Sequence, residues 1–187
     1  MDLAELELLL DVVRRPERPR ATLEERVQLL EDQRRVTDLV MAYGWLCDAR
    51  RWDELLDLYT ADFERFLVGT LEEHLVGKDA LREAYERPVL PRKGGAGGLS
   101  DETRPQDLEI RHMIHPPVVR ISDDGDHAYV AAVYGMVVTS GDGPQVRRGE
   151  HEGGYLFELR REPEVGWRFC RMTVISENAR NPMFWPA

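Results

Sequence analysis

Apolar residues recur at Leu30, Val36, Leu39, Val40, Tyr43, Leu46 and Cys47. That three-to-four-residue spacing predicts a long amphipathic helix. Thr22 and Glu25 mark its start as a capping box, in which hydroxyl and carboxylate close free N–H groups of the first turn. Asp48-Ala49-Arg50-Arg51 ends or bends it. A second helix is expected from Trp52 to Tyr59, with Trp52, Leu55, Leu56 and Tyr59 on one side. Ahead of Thr22, Leu3, Leu6, Leu8, Leu9, Leu10 and Val13 suit a short helix, broken by the proline-bearing run Arg15 to Arg20.

Beyond the helices the period changes to two. Phe63 to Val68 alternates as a short strand, and Lys78 to Tyr85 reads as a third helix, entered at Gly77 and stopped by Pro88. Residues 86–107 form a glycine-rich loop, long enough to serve as a lid over a site. Strands follow at Leu108 to Ile121 (interrupted at Pro116-Pro117), His127 to Thr139, Gln145 to Arg160 and Gly166 to Ile175. Asp123 to Asp126 and Gly141 to Pro144 make the turns. Helices first and an antiparallel meander afterwards predict an α+β fold, with helices packed on one face of a curved sheet. Residues 1–20 read as an N-terminal arm docked on a neighbouring subunit, 21–178 as one domain and 179–187 as a C-terminal tail.

The length of 187 residues suits one domain with a real core. With 35 acidic against 25 basic residues, the net charge of -10 disfavours nucleic acid and anionic membranes as partners. The longest apolar stretch, Leu39 to Cys47, is far short of the roughly 20 residues that span a bilayer. The acidic start Met1-Asp2-Leu3-Ala4-Glu5 lacks a basic leader, so a cytoplasmic location is expected. Cys47 and Cys170 read as two buried thiols. No CxxC, HExxH, GxGxxG or P-loop pattern occurs, which removes support for a zinc site or a nucleotide cofactor.

Strand parity selects the candidate chemistry. His112 shares a face with Ile110 and Ile114 and points to the core side, whereas His115 points away. His151 shares a face with Gly153, Tyr155, Phe157 and Leu159. Glu150 and Glu152 flank it on the opposite face, so a metal site there is not expected. Asp48 closes a strongly apolar helical segment, where a carboxylate is costly unless paired or in a wet cavity. An Asp beside a His holds one imidazole tautomer and makes a base suited to neutral pH. Tyr43 could donate to a developing oxyanion. Five helical residues separate Tyr43 and Asp48 by roughly 140° about the axis, so a shared cavity would have to wrap the helix end. Trp45 lies beside Asp48. Simpler roles remain open: Asp48 paired with Arg50 or Arg51, His112 bonded to a carbonyl in the core, and Tyr43 as core.

In order and spacing, these pieces resemble the SnoaL-like group of the nuclear-transport-factor-two-like superfamily. The likeness runs through Val36-Thr37-Asp38-Leu39-Val40-Met41-Ala42-Tyr43, Asp48-Ala49-Arg50-Arg51-Trp52-Asp53-Glu54-Leu55 and Tyr59-Thr60-Ala61-Asp62-Phe63. It continues through Gly77-Lys78-Asp79-Ala80-Leu81 and Arg111-His112-Met113-Ile114, and closes at Gly166-Trp167-Arg168-Phe169. The resemblance implies a cone-shaped α+β barrel, a curved antiparallel or mixed sheet with helices packed on its concave face, around one deep pocket for a small apolar molecule, and a homodimer or homotrimer. In the family's dehydratases an Asp on the first long helix orients a His from the sheet, and Asp48 and His112 match those positions. Tyr43 matches the tyrosine of the bile-acid type, while Cys47 stands where the scytalone type has tyrosine.

The resemblance thus implies a cofactor-independent lyase or isomerase acting on a steroid, terpenoid or polyketide-like ring. His112, Asp48 and Tyr43 would be catalytic. Trp45, Tyr134, His151, Tyr155 and Arg171 would line the substrate site. The β-subunits of aromatic-ring dioxygenases share the fold, and Leu46-Cys47-Asp48, Trp52-Asp53-Glu54 and Arg111-His112 resemble them as well. That likeness implies a non-catalytic assembly protein. A small-molecule-binding pocket protein is the third reading.

Overall fold

A computed structural model describes residues 10, 13–14, 16, 19–68, 73–86, 108–140 and 147–176. The expected helix at Leu3 to Val13 is described only in part. The expected loop beyond Glu86, the Gly141 to Pro144 turn and the C-terminal tail lie outside the described residues.

Helix α1 spans Leu23–Asp48. The capping box forms as expected: the Glu25 N–H donates to Thr22 Oγ1 at 3.1 Å, and the Thr22 N–H donates to Glu25 Oε2 at 3.2 Å. The buried face carries Asp32, Val36, Val40, Tyr43, Gly44 and Cys47. Leu30, expected on this stripe, is exposed together with Leu23 and Val27. Arg50 takes a left-handed conformation (φ 55°) just past the helix end, and the chain turns into α2, Trp52–Asp57.

Helix α2 is shorter than expected because Tyr59 belongs to strand β1, Tyr59–Val68. Phe169 explains this: its N–H donates to the Leu58 carbonyl at 2.9 Å, which pulls the chain onto the sheet. Strand β2, Glu73–Val76, was not anticipated; four residues are too few to reveal a period. Helix α3 spans Lys78–Glu86. Strands β3, Leu108–Ile114, and β4, Val118–Ile121, are the two parts separated by Pro116-Pro117, and both pair with β5, His127–Ser140. Strands β6, Arg147–Glu162, and β7, Gly166–Ser176, complete the sheet.

The seven-stranded sheet runs β2-β1-β7-β6-β5-β3, with β4 also on β5. Only β1 and β7 pair in parallel among these neighbours, so the sheet is mixed. It curves but does not close, so the expected barrel is corrected to an open sheet with edges at β2 and β3. The core lies between the helices and the inner strand faces of this sheet. Its buried residues include Val36, Val40, Leu55, Phe63, Leu81, Phe157, Leu159, Phe169 and Met172. Full burial of such side chains contributes roughly 1.5–3 kcal/mol each before conformational entropy is deducted.

A second anchor lies toward the start of α1. Asp32, almost fully buried, accepts from Trp167 Nε1 at 3.1 Å, Arg161 Nη2 at 2.7 Å and Gln28 Nε2 at 3.0 Å. The Arg161 guanidinium also stacks over the Trp167 ring at 4.5 Å. One helix carboxylate thereby ties α1 to β6 and β7. The N-terminal arm touches its own chain: Arg120 Nη2 donates to the Val13 carbonyl at 3.1 Å.

Candidate active site

Gly44 sets the approach of α1 to the sheet. A Cβ there would stand 3.0 Å from Ile114 Cδ1 and 3.5 Å from His112 Cβ. Position 48 lies one turn further along the same helix face, which brings Asp48 against β3. Strand β3 is at the sheet edge. Backbone N–H groups on an antiparallel edge strand alternate between partner and open side. His115 donates to Val133 on β5. His112, of the other parity, turns its N–H to the open edge, where Asp48 meets it.

Asp48 accepts the His112 backbone N–H at 3.1 Å (Oδ1) and 2.9 Å (Oδ2). His112 Nδ1 lies 2.6 Å from Asp48 Oδ1. The two side chains are 9% and 10% exposed. An ionised carboxylate only accepts, so it holds the hydrogen of this bond on Nδ1, and in the neutral ring that tautomer leaves the Nε2 lone pair free. The negative end of the helix dipole opposes a carboxylate at position 48. The donors from His112 offset that cost. Asp48 thus pairs with His112 instead of with Arg51, whose guanidinium bridges Glu54.

Tyr43 faces the other way, into the concave interior, as the helical angle requires. Its ring meets the edges of His112 (centroids 6.1 Å), Tyr155 (5.5 Å) and Phe157 (5.6 Å). Its hydroxyl lowers the Cys47 thiol and the Tyr155 phenol slightly against the larger effect of their burial. Burial pushes the Tyr43 phenol well above its ordinary value, so it stays protonated and can donate. Burial also pushes the Cys47 thiol up to about 12. Tyr134 stacks on Tyr155 at 4.1 Å and lies over Gly153, where a Cβ would meet its ring at 2.8 Å.

His112, Asp48, Tyr43, Tyr134 and Tyr155 therefore form one connected group. His151 occupies a register position opposite Met136, which itself pairs with His112. Its backbone is thus in the same row of the sheet; its side chain lies outside the described residues. Two expected lining residues are elsewhere. Trp45 is 72% exposed on the outer face of α1. Arg171 lies on the outer sheet face over the Phe66 ring, 4.5 Å away, and 3.7 Å from Glu158. The reason is a bulge on β7, where Phe169 and Arg171 stand opposite the consecutive Leu159 and Glu158 of β6 and Cys170 is the extra residue. It reverses the alternation, so Phe169 and Met172 both face inward and Arg171 turns out.

Sequence reasoning missed Arg65 and Tyr85. Arg65 shares β1 parity with the fully buried Phe63 and lies opposite the buried Met172, so it faces inward. Its parity with Phe63 was the available signal. A separate cleft of about 580 Å³ is lined by Asp57, Thr60, Asp62, Lys78, Arg160 and Glu162 among others, none of them in this group.

These elements define an α+β protein whose first long helix presents a carboxylate to a histidine of the sheet. The SnoaL-like domain family matches residues 28–173, and the chain belongs to that family. Among solved structures it is similar to an NTF2-like protein with a cystatin-like fold from Novosphingobium aromaticivorans. The identity is 24%, over 83% of this chain and 88% of that one, with a TM-score of 0.62. A protein of the same organism described as a scytalone dehydratase shares 16% identity over 81% and 87% of the two chains, TM-score 0.60. The β subunit of a protein described as an aromatic-ring-hydroxylating dioxygenase, also from that organism, shares 21% over 77% and 88%, TM-score 0.55. At these identities the likeness is one of fold. No curated protein matches the chain. No helix among the described residues is long and apolar enough to cross a membrane.

Proposed function

We propose that this protein is a cofactor-independent dehydratase or isomerase of a small cyclic, largely apolar substrate, working in the cytoplasm as a homodimer or homotrimer. The observation that carries this reading is the 2.6 Å contact between His112 Nδ1 and Asp48, which leaves Nε2 as a base. His112 Nε2 takes a proton from carbon next to a carbonyl, giving an imidazolium and an enolate. Asp48 holds the imidazolium charge, and the Tyr43 hydroxyl steadies the oxyanion. The imidazolium proton then leaves with a β-hydroxyl as water, or returns to another carbon and shifts the double bond. Of the expected substrate-side residues, Tyr134, Tyr155 and His151 remain part of this proposal.

The test is the His112 pKa by proton NMR in the protein and in Asp48→Asn, followed by a screen of cyclic alcohols and enones. A pKa that falls when Asp48 is replaced, together with turnover of a screened compound, supports the reading. A His112 pKa indifferent to Asp48→Asn overturns it. The second reading, a non-catalytic assembly protein like a dioxygenase β-subunit, is favoured by the packing of Tyr43, Tyr134, Tyr155 and Phe157 against one another. That reading expects no turnover and a stable complex with a partner chain.

A further inference from the structure

The proposed dyad chemistry does not use Arg65, yet this arginine is placed at considerable cost. Its side chain is only 14% exposed, on the inner face of β1 between Met172 of β7 and Leu75 of β2. Nη2 donates to Glu73 Oε2 at 2.7 Å, and the guanidinium carbon lies 5.4 Å from the centre of the Tyr85 ring. The Nε–H is buried and has no acceptor among the described residues. A buried donor left bare forfeits its hydration with nothing in return. An apolar residue of similar volume would hold β1 on the sheet without that cost. The salt bridge with Glu73 therefore accounts for the charge and leaves Nε unexplained.

The surroundings suit a ligand oxygen. Arg65 pairs with Met172 of β7 and Met172 with Phe157 of β6, whose ring lies 5.6 Å from that of Tyr43, so Arg65 borders the interior into which Tyr43 projects. Tyr43 in turn meets the His112 ring. Arg65 and His112 thus both border the core around Tyr43. Guanidinium N–H groups bind anionic oxygens strongly and directionally, and weakly hydrated arginine does so best where water is scarce.

We propose that Arg65 anchors the substrate: its buried Nε–H donates to an anionic oxygen, a carboxylate or an enolate, of the cyclic molecule whose reacting carbon lies at His112. The inference rests on the dyad reading for the reaction, but the anchoring stands on Arg65 itself. It narrows the substrate class to rings that carry an acidic oxygen, as acidic aromatic and polyketide-type rings do, and disfavours uncharged sterols and terpenes.

The test is isothermal titration of the full chain with 2-naphthoate and with its neutral counterpart 2-acetonaphthone. The expected result is at least tenfold tighter binding of the naphthoate. Arg65→Gln lowers naphthoate affinity tenfold or more and changes acetonaphthone binding less than twofold. Arg65→Lys, which keeps a charge but not the Nε–H, falls between the two, and carries the test alone if circular dichroism shows Arg65→Gln unfolded. His112→Asn keeps the preference for naphthoate. Naphthoate that fails to bind, binds no tighter than acetonaphthone, or binds unchanged to Arg65→Gln or Arg65→Lys overturns the proposal. The dyad reading fails separately, through a His112 pKa that ignores Asp48 while the anion preference persists.

Discussion

Asp48 holds His112 twice, by its backbone N–H at 2.9 Å and by its ring Nδ1 at 2.6 Å. The strand edge and the imidazole are thereby locked to the same carboxylate, at the end of the same helix. The arrangement orients a base and also seals an edge N–H that would otherwise stay open. Catalytic and structural roles can therefore be separated by substitution.

Asp48→Asn keeps a carbonyl oxygen that can accept the backbone N–H. It cannot support an imidazolium, and its amide favours the wrong ring tautomer. We expect turnover of the substrate found by screening to fall about 10²–10⁴-fold, the range lost with a working acid-base group. Stability should fall by only about 1 kcal/mol in urea denaturation. A loss of several kcal/mol with unchanged turnover would mark Asp48 as purely structural.

Gly44 is the clearance for that contact. Gly44→Ala sets a helix-propensity gain of up to about 1 kcal/mol against a 3.0 Å approach to the movable Ile114 Cδ1, so thermal stability should change little. Gly44→Val adds bulk the interface cannot absorb. It should cost about 1–3 kcal/mol and push α1 off β3. Loss of the downfield Nδ1 proton signal of His112 would report the separation.

Tyr43→Phe keeps the aromatic packing with Tyr155 and Phe157 and removes only the hydroxyl. Stability should change by about 1 kcal/mol or less, since one neutral hydrogen-bond network loses one member. Turnover should fall about 10²-fold or more if the hydroxyl steadies the oxyanion. An active Tyr43→Phe variant would remove Tyr43 from the mechanism and leave the dyad in place.

Asp32 predicts an acid limb in the stability profile. Burial alone pushes its carboxyl up, but the hydrogen bonds from Arg161, Trp167 and Gln28 outweigh burial and hold it below the ordinary 3.8. The folded value is lower than the unfolded one. Its contribution is therefore complete above the unfolded value and lost as pH falls through the folded one. Asp32→Asn should destabilise the protein near neutral pH and lose that penalty at the acid end. Urea midpoints measured from pH 7 down to pH 3 check this, and parallel profiles for the two proteins would refute it.

Cys47 should be inert in the folded protein. Burial first, with the Asp48 charge adding to it, pushes its thiol up to about 12, and burial pushes Cys170 up to about 11. The thiolate is the reactive form, so neither should react with a disulfide reagent at pH 8 until the chain unfolds. Fast native labelling of Cys47 would show an open path to the interior beside Tyr43.

Much of this architecture is written locally in the chain. The Thr22-Glu25 capping box, the stripe from Val36 to Cys47 and the two-residue alternation of the late strands need only near neighbours to act. The SnoaL-like pattern was legible in order and spacing, and the pairing of Asp48 with His112 was what that resemblance implied. Other features depend on partners distant in sequence. Tyr59 left its helix because Phe169, 110 residues later, offered a strand edge. Arg171 turned outward because a bulge at Cys170 on its own strand reversed the parity, and Trp45 stayed outside because Tyr43, Gly44 and Cys47 are the residues of that turn on the buried face of the helix. Asp32 and Arg65 sit at buried positions that charge alone would assign to solvent. Local periodicity sets which face a residue takes within its own element. Which charged groups can be buried is decided only when Trp167, Arg161, Glu73 and Tyr85 arrive from elsewhere in the chain to receive them.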